Sequence, residues 1–334
     1  MKKMISLVLS VAMVLMSVMV LTNCGPKESD EKLKVAVVLA GATGDRSFYD
    51  SANEGLQQLI KRGDVQGSLI ECQNDASMFT TNLISAAENN DVVVAVGWEF
   101  WEALAEYAPQ LPDTKFIFVD NGLDGVGDNL LSITYAQNEG SFLVGYIAGK
   151  LSTTGKVGAI GGEDSETIND FIVGYEAGAK YANPNAVVQT RYAGTYEDPA
   201  RGKELALALY DSGCDIVFQV ASRTGEGVFE AAAERGLFAI GVDSDQKYIN
   251  PDVIICSMVK EVGQSIVYPI AGLLDNGTWN GGHIWVADMS TGMVDVGYGD
   301  PYMTQQVDNA LKAEVEQIKA DIISGKIEVP TAFR

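Results

Sequence analysis

The residues of this chain that could do chemistry gather in loops that follow short β-branched runs. GATGDRSFYD, VGWEF, VDNG, GGEDSETINDF, AGTYEDP, VASRTGEG and VDSDQ together carry carboxylates and aromatic rings but few cations. Carboxylates accept hydrogen bonds from hydroxyl and N–H groups, and rings stack on flat molecules. The set therefore suits a neutral, flat, hydroxyl-bearing ligand better than an anion. Asp243 in GVDSDQ offers two acceptor oxygens to a pair of adjacent hydroxyls, whereas Asp245 reads as a cap or a solvated turn residue. Asp120 ends FIFVD, placed either to accept from ring N–H groups or to cap a turn. Trp98 either lines a pocket or covers its strand end, and Phe171 either walls a pocket or packs under its helix.

Composition removes most catalytic readings. The single histidine, His283, would have to serve any Ser-His-Asp triad, and it leaves a zinc site little nitrogen ligation. It reads as a strand residue. GATGD and AIGG follow strands but lack the lysine of a phosphate loop, and no GxGxxG follows the first strand. ATP hydrolysis is not expected from this chain. Carboxylate pairs such as Asp243 and Asp245 assemble into no acid–base pair. The expectation is a binding protein without catalytic residue, metal or cofactor. With 23 Lys and Arg against 45 Asp and Glu, the net charge of −22 repels phosphate backbones, so no nucleic-acid partner is expected.

The elements that must carry these loops follow an alternating pattern. LKVAVVL, SLIEC, VVVAV and KFIFV read as buried strands, with helices expected over Ser47 to Arg62, Met78 to Asn89 and Phe100 to Ala108. The rhythm restarts at KVGAIGG and runs through helices over Ile168 to Asn183 and Pro199 to Ser212, and one from Gly225. DVIICSMVK leads into a helix over Glu261 to Asp275, and HIWVADM and MVDVGY precede a last helix from about Tyr302 to Ser324. This is an α/β chain with two doubly wound parallel-sheet lobes. Late strands after two complete sheets imply several crossings between lobes, the build of a two-lobed ligand trap. In open sheets of this kind ligands bind beyond the carboxyl ends of the strands. The expected partition is 33–138 plus about 262–290 for one lobe, and 139–261 plus about 291–334 for the other.

The 334 residues open on a separate segment. Lys2 and Lys3 precede an uncharged apolar run from Met4 to Leu21, followed by Leu21-Thr22-Asn23-Cys24 and a polar stretch. This resembles the lipobox of bacterial lipoproteins. It implies a signal peptide over 1–24, lipidation of Cys24, and a tether over 25–32 that holds the protein at the extracytoplasmic face of the cell membrane. The exported part keeps Cys72, Cys214 and Cys256; the odd number favours buried free thiols, with one disulfide as the alternative.

GDRSFYDSANEG, NEGSFLVGYIAGKLSTTGKVGAIGG, FIVGYEAGAKYANP, YEDPARGKELALALYDSGCDIVFQVA and FAIGVDSDQ, in this order, resemble the basic membrane protein family. Those are bacterial nucleoside-binding lipoproteins that serve ABC importers. The resemblance spans about Leu33 to Tyr298. It implies a type I periplasmic-binding-protein fold with three interlobe crossings and a multi-strand hinge. It also implies a purine nucleoside held between the lobes, its base between rings and its ribose held by an Asp and a Lys. Carried over by position, Phe48 matches the ring that stacks on the base, Tyr196 matches a second aromatic, and Asp45 matches the loop acid. Tyr49 stands where the family often has Asn, and Trp98 where it commonly has Phe. Asp243 and Lys260 match the ribose pair. Ser222-Arg223 stands where a Gly pair is frequent, so Arg223 is expected either to narrow the cleft or to pair outward with an acid. The implied protein is a monomer whose partners are a nucleoside, permease and ATPase subunits, and the membrane through its lipid. A sugar or autoinducer-like polyol ligand on the same fold is the alternative, ahead of a nucleoside-cleaving enzyme.

Overall fold

The structure is a computed structural model and describes residues 32–333. The signal segment and Cys24 lie outside the described residues, as does all of the tether except Lys32.

β1 (Leu33–Leu39), β2 (Val65–Glu71), β3 (Val92–Val96), β4 (Lys115–Val119), β5 (Leu130–Tyr135) and β11 (His283–Ala287) form one parallel sheet in the order β11-β5-β4-β3-β1-β2. β6 (Lys156–Gly161), β7 (Val187–Tyr192), β8 (Ile216–Val220), β9 (Phe238–Asp243), β10 (Ile254–Lys260) and β12 (Val294–Gly297) form the second, in the order β12-β10-β9-β8-β6-β7. Only the β12 pairing there is antiparallel. The sheets correspond strand by strand, so β3 answers to β8, β4 to β9 and β5 to β10. β3 and β8 are buried along their whole length, as expected for parallel strands covered on both faces.

α1 (Phe48–Arg62), α2 (Ala76–Asn89) and α3 (Trp101–Tyr107) follow strands of the first sheet, and α8 (Val262–Asn276) packs on α1. The second sheet carries α4 (Gln137–Leu151), α5 (Glu166–Ala182), α6 (Pro199–Asp211), α7 (Glu226–Arg235) and α9 (Asn309–Ile323). The chain passes between the sheets three times, after Tyr135, after Lys260 and between Ala287 and Val294. One apolar core runs through both lobes, from Val37 and Leu56 to Phe142, Tyr175 and Val242.

The glycines of SFLVGYIAGK and FIVGYEAGAK serve helix packing. A Cβ at Gly145 would stand 2.2 Å from the Tyr175 carbonyl, and one at Gly178 would stand 1.9 Å from the Phe142 carbonyl. α4 and α5 therefore pack backbone to backbone.

The last helix starts later than its periodicity suggests. The Asp308 side chain accepts from Leu311 N at 2.8 Å and caps the helix at Asn309. The preceding turn is held by side chains: Gln306 donates to the Pro251 carbonyl at 2.8 Å and accepts from the buried Lys247 ammonium at 2.5 Å. Cys72, Cys214 and Cys256 are buried and free, and His283 opens β11.

Candidate functional site

The strand ends of both sheets face one cleft, and its walls are built from the strand-end loops. Phe48 opens α1 directly beyond the β1 loop, and Tyr49 packs edge-on against it at 5.2 Å between ring centroids. The Tyr49 ring lies where a side chain on Gly41 would be, since a Cβ there would come within 2.4 Å of it. The second lobe repeats this arrangement: Tyr196 lies over Gly162, where an added Cβ would come within 2.0 Å of its ring. Small residues just beyond the ends of β1 and β6 thus leave room for two rings at the cleft.

Charge enters at three further strand ends. Lys260, the last residue of β10, is 2% exposed, and its Nζ lies 2.8 Å from Asp120 Oδ1 and 4.0 Å from Asp243 Oδ1. Asp120 follows β4 of the first lobe, and Asp243 ends β9 of the second. One cation is therefore shared by topologically matching acids of the two lobes. The same ammonium stands 4.9 Å from the Phe48 ring centroid, 4.8 Å from Tyr135 and 5.2 Å from Phe171. Ring faces attract a cation at such distances, which offsets part of its lost hydration. Burial raises the Asp243 carboxyl, while Lys260 and the Ser47 hydroxyl act against that shift.

Asp120 (φ 75°), Asp243 (φ 62°) and Ser222 (φ 47°) all adopt left-handed backbone. Each such residue stores about 1–3 kcal/mol of strain, and strain of this kind concentrates where side chains are aimed at a ligand.

The lobes touch across the cleft mouth. Ser47 Oγ donates to Asp243 Oδ2 at 2.7 Å, and Ser222 Oγ donates to Asp45 Oδ2 at 3.0 Å. Gln246 donates to the Arg46 carbonyl at 3.0 Å, and Asn74 donates to Glu197 at 3.1 Å. This is a closed arrangement. The space left inside, counting what opens to solvent, is about 630 Å³.

Of the expected site residues, Phe48, Tyr49, Trp98, Asp120, Phe171, Tyr196, Ser222, Asp243 and Lys260 all line this space. Phe171 is 2% exposed and both walls the cleft and packs in the core. Trp98 is 47% exposed and stands at the rim. Asp45, also expected at the site, does not line this space. It is turned away from the cavity into the start of α1, where it accepts from the backbone N–H of Ser47, Tyr49 and Asp50 at 3.0–3.1 Å. Four unpaired N–H groups at a helix start draw an acid in this way. Its burial pushes its pKa up to about 6, against those N–H donors and Ser222. Arg223 takes the outward alternative: its guanidinium is exposed and lies 3.8 Å from Glu197.

Residue-by-residue reading missed Glu99, Ser165, Thr167 and Ile168, which also line the cavity. All four stand in or just beyond the strand-end loops VGWEF and GGEDSETINDF, so the loop signal was present. What distinguished them from their neighbours was not. Among the described residues no cluster of ligating side chains could hold a metal ion. No described helix is long and apolar enough to cross a membrane.

Comparison with known proteins decides the family. The family described as ABC transporter substrate-binding protein PnrA-like matches residues 32–332. This chain belongs to that family. The ABC transporter nucleoside-binding protein BmpA of Lactococcus lactis is 35% identical, over 96% of this chain and 97% of its own. Basic membrane protein A of Borreliella burgdorferi is 32% identical, over 96% of this chain and 94% of its own. Among solved structures, a solute-binding protein of an ABC transporter system from Aeropyrum pernix superposes with a TM-score of 0.80 at 27% identity, covering 89% of this chain and 94% of that one. The fold is that of type I periplasmic binding proteins. As a member of the PnrA-like family, the chain is a substrate-binding protein of an ABC transporter, a family of binders rather than enzymes.

Proposed function

We propose that this chain binds purine nucleosides between its lobes and presents them, closed, to the permease and ATPase subunits of an importer. The observation that carries this reading is the cavity wall itself. Rings from both lobes flank an Asp120–Lys260–Asp243 set in which Lys260 and Asp243 are buried and Asp120 is partly buried. A base fits the first kind of surface by stacking, which contributes about 1–3 kcal/mol per ring in nucleic-acid binding. A ribose fits the second, with adjacent hydroxyls donating to Asp243 and accepting from Lys260. The name of the Lactococcus relative supports the ligand class. The nucleoside would enter the open form and leave unchanged. In this reading Cys24 carries the lipid that holds the protein, as a monomer, at the outer face of the membrane.

The test is calorimetric titration of the chain with guanosine, inosine and adenosine, and separately with free hexoses. Saturable nucleoside binding is expected, with no free base on chromatography after prolonged incubation with inosine. Hexose binding without nucleoside binding would overturn the reading, and release of hypoxanthine would make the protein an enzyme.

A further inference from the structure

Three acids line the cleft, and two of them are already engaged. Asp120 holds Lys260, and Asp243 accepts from Ser47 and lies near the same ammonium. Glu99 has neither a cation nor a hydroxyl: its Oε2 is buried and has no hydrogen-bond partner among the described residues. A buried acceptor left unpaired is destabilising, so the site is completed by a ligand that donates.

The position of that oxygen follows from the turn after β3. Gly97 has φ 121°, and a Cβ there would stand 2.4 Å from Glu99 Oε2 and 2.9 Å from Ala40 Cβ. Without that side chain, the carboxyl folds back over the strand end instead of pointing to solvent. Glu99 follows β3 of the first lobe, whereas Lys260, the proposed ribose partner, ends β10 of the second.

We propose that Glu99 is a specificity-determining residue that reads the donor edge of the base and favours guanosine. This rests on the nucleoside reading above. An ionised carboxylate accepts only, and its two oxygens match two adjacent N–H donors. Guanine presents such a pair in N1–H and its exocyclic amine; hypoxanthine keeps the ring N–H and lacks the amine; adenine has an unprotonated N1.

Protonation supplies an independent readout. Burial pushes the Glu99 pKa up to about 7, with Asp120 and Glu163 adding to the shift. Tyr49 and Tyr196 face the group from α1 and from the loop before α6, and Cys72 faces it from the loop after β2; burial holds all three above their ordinary values, so they stay neutral. A donor ligand selects the ionised form, so guanosine binding near neutral pH expels a proton from Glu99.

The experiment compares guanosine with inosine on wild type, Glu99→Gln and Glu99→Ala, by calorimetry at pH 7 in buffers of different ionisation enthalpy. Wild type is expected to bind guanosine at least about tenfold more tightly than inosine and to release protons on doing so. Both variants should lose most of that ratio and the proton release: guanosine, which donates two N–H groups to Glu99, should lose at least about tenfold more affinity than inosine, which donates one. An unchanged guanosine-to-inosine ratio in a folded Glu99→Gln or Glu99→Ala protein overturns the role of Glu99 and leaves the nucleoside reading standing. Failure of wild type to bind any nucleoside overturns both.

Discussion

Ser47 and Asp243 belong to different lobes, and the Ser47 hydroxyl donates to Asp243 Oδ2 at 2.7 Å. The acid proposed to hold the ligand is therefore also a latch of the closed form. Both side chains are buried, and a hydrogen bond to a charged group contributes about 1.5–3 kcal/mol net. Ser47→Ala should weaken nucleoside binding about tenfold, because ligand and latch favour the same closed state. Asp243→Ala should weaken it by at least about tenfold, since it removes both. Calorimetry measures each. Wild-type affinity in Ser47→Ala would show that this bond does not contribute to closure.

Lys260 neutralises an acid from each lobe. In Lys260→Met, Asp120 loses its partner at 2.8 Å and Asp243 its nearest cation. Breaking a buried pair on one side costs about 3–5 kcal/mol. Thermal unfolding should shift down by several degrees and binding should fall more than about tenfold. Adding Asp120→Asn removes the stranded charge, so the double variant should recover stability without recovering affinity. If the double variant were no more stable than Lys260→Met, the pairing would not explain the loss.

Gly162 carries a steric prediction. A methyl group there would stand 2.0 Å from the Tyr196 ring, and the ring would have to swing into the cavity. Gly162→Ala should weaken ligand binding about tenfold or more while the chain stays folded. Gly272→Ala, whose Cβ would meet nothing nearer than 3.8 Å, is the control and should bind as wild type. Equal affinity in both variants would mean that Tyr196 does not contact the ligand.

The buried acids set the pH dependence of the empty protein. Asp45 and Glu99 have pKa values pushed up by burial, to about 6 and about 7. Between their unfolded values near 4 and these folded values, the folded chain binds more protons than the unfolded one. Stability should then be higher at pH 5 than at pH 7.5, falling as pH rises through that window. Glu99 alone accounts for a change of the order of 2–3 kcal/mol. Denaturant titrations at the two pH values measure this, and Glu99→Gln should flatten the slope. A wild-type protein equally stable at both values would contradict it.

Short-range pattern carried the architecture. Short β-branched runs such as VVVAV read as strands buried on both faces, and their alternation with amphipathic stretches places the strand-end loops on the cleft side of each sheet. For that reason Phe48, Tyr196, Asp243 and Lys260 could be expected at the cleft one residue at a time, and all four line it. Which acid in a loop faces the cleft was not legible, because that depends on atoms brought in by folding. Asp45 turns inward to satisfy the N–H groups that open α1, and Glu99 turns toward the cavity because Gly97 leaves room for its carboxyl. The Asp120–Lys260 pair joins positions 140 residues apart on different lobes. Periodicity acts over a few residues and specifies elements; a buried charge finds its partner only once two sheets have packed, and no local spacing encodes that meeting.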